Sequence, residues 1–286
     1  MFTPQDLVGS AVKLVTLPDV YIRLQASLDD EDASMADVAN LIAHDPGLTA
    51  RLLRMVNSAF FDFAAKIETV SRAVGLLGTQ QIHDLALATA VARAFSALPP
   101  GVMNMEVFWR NSVYCSVTSR LIACHCNVLD SERLFVASLL RDIGHLIMYL
   151  KVPGPAQQAL LRAQKEHKPL YRVERELIGC DHAQVGGELM RAWQLPASLQ
   201  ESLEFHLEPG KAQNFALETS IIHIASIITE ATVARETPEP QALRIDPVAL
   251  QITGLSPDRL QSIKREADQQ LGKAINLIFP WMRKAS

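Results

Sequence analysis

Apolar residues recur along this chain at three- and four-residue intervals, which is the spacing of helix faces. Met35, Val38, Ala39 and Ile42 make one stripe, and Leu48, Leu52, Met55 and Val56 make the next. Each stripe follows a start signal. Ser34 has Asp37 three residues on, and Asp45 is followed by Pro46, whose missing N–H costs nothing in a first turn. Asn57-Ser58 closes the second stripe, and residues 4–30 read as two short helices around Leu17-Pro18-Asp19. Residues 79–95 are apolar on nearly all sides, which predicts a helix at the centre of its bundle. Leu98-Pro99-Pro100-Gly101 then punctuates the chain.

Beyond that break the pattern predicts one long helix over 105–126. A second runs from Asp130-Ser131 to Arg141-Asp142 and breaks or bends at Gly144. Pro153-Gly154-Pro155 reads as a turn, with helices after it over 155–167, 169–179, 182–193, 197–206 and 215–234. Glu236-Thr237-Pro238-Glu239-Pro240 is polar and helix-breaking, hence an exposed loop. Asp246-Pro247 and Ser256-Pro257 repeat the cap-then-proline start, and the last helix reaches about Ile278. With no sheet signal and no solenoid-length repeat, the expected fold class is all-α.

Composition narrows the function classes. At 286 residues the chain can form one large domain or two modest ones with a real core. It is 49% apolar but only 6% aromatic, and its Ala- and Leu-rich composition favours helix over sheet. Its 27 basic and 31 acidic residues leave a net charge of −4, which disfavours nucleic acid as a partner. Cys115, Cys124, Cys126 and Cys180 show no disulfide-framework spacing and suit free thiols in a reducing compartment. The start lacks the basic and apolar regions of a signal peptide, and runs 134–150 and 221–234 are too short or too polar to span a bilayer. The expectation is a cytoplasmic protein without membrane insertion.

Chemistry concentrates at Leu139-Leu140-Arg141-Asp142-Ile143-Gly144-His145, where a charged pair interrupts an apolar run. Burying charge is costly unless it is paired or does chemistry. Two literal His-Asp pairs compete as metal candidates and are better read structurally. In His44-Asp45 the aspartate already caps a helix, and His83-Asp84 lies in a helix with no ligand types at helical spacing. The two cysteines of Cys124-His125-Cys126 would point to nearly opposite faces of a helix. A less local pattern remains. Asn111, Arg141-Asp142, His182, His206 and Ser226 project from the apolar stripes of five helices and could converge on one pocket. Separately, Phe60-Phe61-Asp62-Phe63 places three aromatics in a presumed loop, where they either contact a partner or tuck back into the core.

The sequence resembles the HDOD family, a bacterial regulatory branch of the HD superfamily related to HD-GYP proteins. The resemblance covers most of residues 15–235. It rests on Ile42 to Ser58, on Ala73 to Gly78, on Phe108 to Ser112, on Ala137 to Gly144 and on Asp181 to Gly186. It implies a multi-helix fold with an N-terminal helical subdomain (1–100) packed on a degenerate HD-like core (101–244) and a helical extension over 245–286. Residues 10–235 would together form the HDOD domain. Catalytic relatives have histidine at the position of Asn111, His-Asp at Arg141-Asp142, and aspartate about at Ser226, while further HD-GYP histidines fall near His182 and His206. A guanidinium cannot ligate a cation, so Arg141 should pair with Asp142 instead. The resemblance therefore implies no catalytic residues, no metal and no cofactor. It implies a signalling module that works through an unidentified signalling protein. The competing expectations are an HD-type metal-dependent phosphohydrolase, and a sensor that holds a cyclic or phosphorylated nucleotide in the vestigial pocket through Arg141 and His182.

Overall fold

A computed structural model of the chain describes residues 1–11, 19–28, 30, 34–57, 63, 65–94, 103–128, 131–233 and 244–278. Among them regular structure is helical, with no strand. The chain divides into two compact units, residues 1–16 with 98–264, and residues 17–97 with 265–286. The sequence suggested three consecutive parts. In this division Pro4–Ala11 falls with the later block, and Pro257–Ile278 contributes residues to both units.

The larger unit begins with α1 (Pro4–Ala11). The smaller contains α2 (Asp19–Leu28), α3 (Met35–Ala43), α4 (Pro46–Val56), α5 (Val70–Leu77) and α6 (Thr79–Ala94). The start signals act as expected. Ser34 and Asp37 form a reciprocal capping box, and the Asp45 carboxylate accepts from Leu48 N at 2.9 Å. The Asn57 side chain donates to the Leu53 and Ile67 carbonyls and accepts from Ile67 N, each at 2.7 Å, so it pins the chain's return after α4. From Ile82 to Val91 every residue of α6 is buried, including His83 and Asp84. The His83 ring lies 4.8 Å from that of Tyr21, and neither its nitrogens nor Tyr21 Oη have a hydrogen-bond partner among the described residues. Phe60 and Phe61 lie outside the described residues, as does the expected 236–240 loop, while Phe63 is half-buried with contacts of its own.

The larger unit continues with α7 (Met105–His125), α8 (Ser131–Leu140), α9 (Ile143–Lys151), α10 (Pro153–Glu166), α11 (Leu170–Leu177), α12 (His182–Ala192) and α13 (Ala197–Phe205). A 3₁₀ turn (Pro209–Lys211), α14 (Ala216–Val233), α15 (Pro247–Thr253) and the start of α16 (Pro257–Ile278) complete it. α7 is buried along most of its length and packs on α8 and α14. Cys126 caps α7, and all four thiols are free. Two boundaries differ from the sequence pattern. α10 starts at Pro153, because proline is tolerated in a first turn. The chain breaks at Arg141-Asp142 rather than at Gly144, which lies inside α9.

Gly144 instead governs packing. A Cβ there would collide with the His182 carbonyl, so its absence lets α9 seat against the start of α12. Gly187 does the same one layer on, where a Cβ would meet Glu204 Cβ of α13 at 2.6 Å. These two close approaches bring Asp142, His182 and His206 into one neighbourhood. No described helix is long and apolar enough to cross a membrane.

Candidate functional site

Asp142 sits at the N-cap of α9, yet its carboxylate makes no capping hydrogen bond. It turns to Arg141, whose Nη2 lies 2.7 Å away. The remaining guanidinium nitrogens are also committed, Nε to Ser226 Oγ and Nη1 to the Ser138 carbonyl, both at 3.3 Å. Arg141 is only 2% exposed. Its pairing with Asp142 is the one the residue types required. Three of its five N–H donors thus meet protein acceptors, one from each nitrogen.

Behind this pair lies a cluster of histidines around Glu174. His182 Nδ1–H donates to Glu174 Oε2 at 2.7 Å, and the His182 backbone N–H donates to the same oxygen at 3.1 Å. The glutamate thus also occupies the positive end of α12. His145 Nε2 bonds Glu174 Oε1 at 3.1 Å, and its ring stacks on that of His182 with centroids 3.8 Å apart. The other edge of His182 faces the first pair, with Nε2 4.0 Å from Asp142 Oδ1. His206, fully buried at the end of α13, donates from Nδ1 to the Leu203 carbonyl at 2.8 Å, which leaves Nε2 as a lone pair without a hydrogen-bond partner among the described residues. His223 is structural: Nδ1–H donates to the His206 carbonyl and Nε2 accepts from Asp246 N.

The electrostatics follow from this alternation of charge. Burial opposes a charge on His182, but Glu174 and Asp142 outweigh it and hold the imidazolium up at about 9. Burial and the His182 charge beside it push His206 down to about 3, so it is neutral. Asp142 and Glu174 are held below the usual carboxylate range despite burial, the first by Arg141 and the second by His182 and His145. Glu230, four residues beyond Ser226 on α14, is exposed at the cavity's edge, where desolvation by its neighbours and the Asp142 charge raise its carboxyl.

All six residues singled out from the sequence (Asn111, Arg141, Asp142, His182, His206 and Ser226) line one cavity of about 1320 Å³ in the larger unit. Apolar and aromatic side chains, among them Phe108, Tyr149 and Ile227, form much of its wall, and Lys168, Arg172 and Arg244 stand at its exposed edge. Sequence reasoning missed Glu174 and Glu230, and it named His145 only as the end of the charged stretch, with no role in the site. Glu174 did carry a signal. It sits on the apolar face made by Leu170, Val173 and Leu177, where a lone carboxylate needs a partner.

A model of the HDOD domain matches residues 14–209. The chain belongs to the HDOD family. Solved HDOD-type structures share its fold. An HDOD domain protein of unknown function from Geobacter sulfurreducens superposes with a TM-score of 0.75 at 22% identity, covering 96% of this chain and 97% of that one. A phosphohydrolase candidate from Shewanella amazonensis SB2B gives 0.73 at 24%, covering 95% and 97%. An uncharacterized protein of Treponema pallidum (strain Nichols) is 20% identical over 191 residues, which is 66% of this chain but 37% of the relative. The chain thus spans little more than a third of that protein.

The HD superfamily to which HDOD proteins are related implies a metal here, and the donors can be tested for fit. Two groups have donor atoms within 4.8 Å of one another: Asp142, His182 and His206, and His145, Glu174 and His182. The first fits one ion better. In it, both histidines have Nδ1–H anchored, the usual arrangement of metal-bound imidazole; His206 Nε2 is a lone pair already, and His182 would give up its Nε2 proton on binding. In the second, the histidine nitrogens are already bonded to Glu174. A two-ion site does not fit. Asn111 and Ser226 supply neither imidazole nor carboxylate, and Arg141 occupies Asp142 Oδ2 with its own positive charge.

Proposed function

We propose that this HDOD protein is a non-catalytic regulatory module of bacterial signal transduction that works in the cytoplasm through contacts with a signalling protein. The observation that carries the reading is the Arg141–Asp142 ion pair at 2.7 Å. The guanidinium takes the place of the first ligand of an HD dyad and supplies the positive charge that a second ion would bring. Two-ion phosphoester hydrolysis needs both metals to clamp the attacking and leaving oxygens, and that arrangement has no ligands here. The test is hydrolysis of a panel of phosphomonoesters and phosphodiesters by purified protein supplied with manganese, iron or zinc. No turnover above a metal-only control is expected. Turnover that disappears in Asp142→Asn would overturn the reading.

A second reading is favoured by one observation, the Asp142, His182 and His206 donor set. Under it the protein is a single-ion HD-type phosphohydrolase. The three residues would hold the ion, which would supply Lewis acidity and an activated water, and Glu174 would keep His182 in the ligating tautomer. Elemental analysis separates the two. Near-stoichiometric transition metal in wild type, lost in His206→Ala, supports the second reading, and its absence from both proteins supports the first.

A further inference from the structure

Charges at the buried end of the cavity cancel in pairs, Arg141 against Asp142 and His182 against Glu174, each at 2.7 Å. The mouth is mixed as well, with Arg172, Arg244 and Glu230 all exposed on it. A charged ligand of either sign therefore meets both signs and recovers little of its desolvation cost. What the buried end leaves open is hydrogen bonding of both kinds. His206 Nε2, fully buried, is an acceptor with no partner among the described residues. His182 Nε2–H is a donor that faces Asp142 Oδ1 from 4.0 Å, beyond hydrogen-bond reach. One ligand atom from each of these three residues lies within 4.8 Å of the others, and Asn111 adds an amide to the same lining. Outward of them the wall is apolar, with Leu160, Ile227 and Ile245 half-buried and Val107 left 44% exposed. The volume of about 1320 Å³ exceeds the roughly 300–1,000 Å³ of a small-molecule site.

We infer that this cavity is where the signalling partner docks, through an apolar segment that inserts one carboxamide side chain, glutamine or asparagine, to the buried end. A carboxamide carries an acceptor and a donor on adjacent atoms and no net charge. Its oxygen can take the His182 N–H while its nitrogen gives to His206 Nε2. A carboxylate in the same place would leave His206 without a donor and stand against Asp142, and an ammonium would stand against Arg141 and His182. The apolar residues on either side of the anchor cover Val107, Leu160 and Ile227, as the contacts around a buried anchor exclude water from an interface. The inference rests on the non-catalytic reading, because a metal ion on Asp142, His182 and His206 would occupy the same atoms.

The test is a pool of acetylated pentapeptide amides, glutamine at the centre and Leu, Ile, Val or Met at the flanks, screened against the full chain by ligand-observed NMR. The strongest member is then titrated by calorimetry beside its glutamate and norleucine analogues and N-acetylglutaminamide, with metal content measured on the same samples. The glutamine peptide should bind about tenfold or more tighter than each of the three. His206→Phe, which keeps a ring but no acceptor, should erase the margin of glutamine over norleucine. Val107→Asp, a change at an exposed position, should weaken all three peptides alike. Tightest binding by the glutamate analogue, or a glutamine margin unchanged in His206→Phe, would overturn the anchor. N-acetylglutaminamide binding as tightly as the peptide would overturn the partner segment in favour of a small amide. No binding by the pool at millimolar concentration to metal-free protein would overturn the site and leave the non-catalytic reading standing. Stoichiometric transition metal that is lost in His206→Phe would overturn the non-catalytic reading and this inference with it.

Discussion

Replacing Arg141 with methionine removes the guanidinium but keeps much of the side chain's length and apolar bulk. Its loss strands Asp142, whose side chain is only 19% exposed, without the group that holds its charge. Removing one member of a buried ion pair costs about 3–5 kcal/mol. Two features put this case near the lower limit, at about 3 kcal/mol. Solvent reaches part of Asp142, and His182 Nε2 lies 4.0 Å from its other oxygen. Asp142→Asn strands Arg141 at a cost of the same order. The double variant Arg141→Met/Asp142→Asn abolishes both charges at once and should fall within about 1 kcal/mol of wild type. Urea unfolding followed by circular dichroism at pH 7 gives all four free energies, and the cycle should return a coupling of several kcal/mol. The pH dependence has a definite sign. Asp142 is held below its ordinary value of 3.8, so its contribution is present above that range and is lost as pH falls through the folded value. The gap between wild type and Arg141→Met should therefore close in acid. A single-variant cost under about 1 kcal/mol, or additive single variants, would refute the pair as the buried anchor of this site.

Gly144→Ala should destabilise by more than about 3 kcal/mol, because its methyl group meets backbone at His182 rather than a yielding side chain. A near-neutral result would show that α9 and α12 can separate without cost. Tyr21→Phe removes a buried hydroxyl that has no partner among the described residues and should stabilise by roughly 1 kcal/mol, read as a raised thermal midpoint. A lowered midpoint would reveal a hydrogen bond at that hydroxyl. His182 is raised from 6.5 to about 9, so its contribution is complete below 6.5 and lost as pH climbs through 9. Wild type should lose up to about 3 kcal/mol across that window and Glu174→Gln much less, and equal alkaline loss in both proteins would sink the assignment.

How much of this was legible in the chain depends on whether the signal was local. Ser34 with Asp37, and Asp45 before Pro46, are instructions read within one turn, and both act in the structure as their residue types require. Asp142 had the same opportunity to cap a helix and does not take it, because Arg141 beside it is buried and needs a counter-charge more. Glu174 was visible only as an anomaly, a carboxylate on the apolar face of α11. Nothing in its surroundings along the chain named His145 and His182 as its partners.

The sequence by itself determined the helical architecture and the membership of six polar residues in apolar stripes. Periodicity and residue chemistry are properties of neighbours along the chain, so they survive without coordinates. Tertiary structure alone decided that every nitrogen of Arg141 would meet a protein acceptor, that Glu174 would bridge two stacked histidines, and that His206 Nε2 would be buried without a partner among the described residues. Those outcomes depend on which helices can touch, and here that is set by two glycines whose missing side chains let α9, α12 and α13 close on one another.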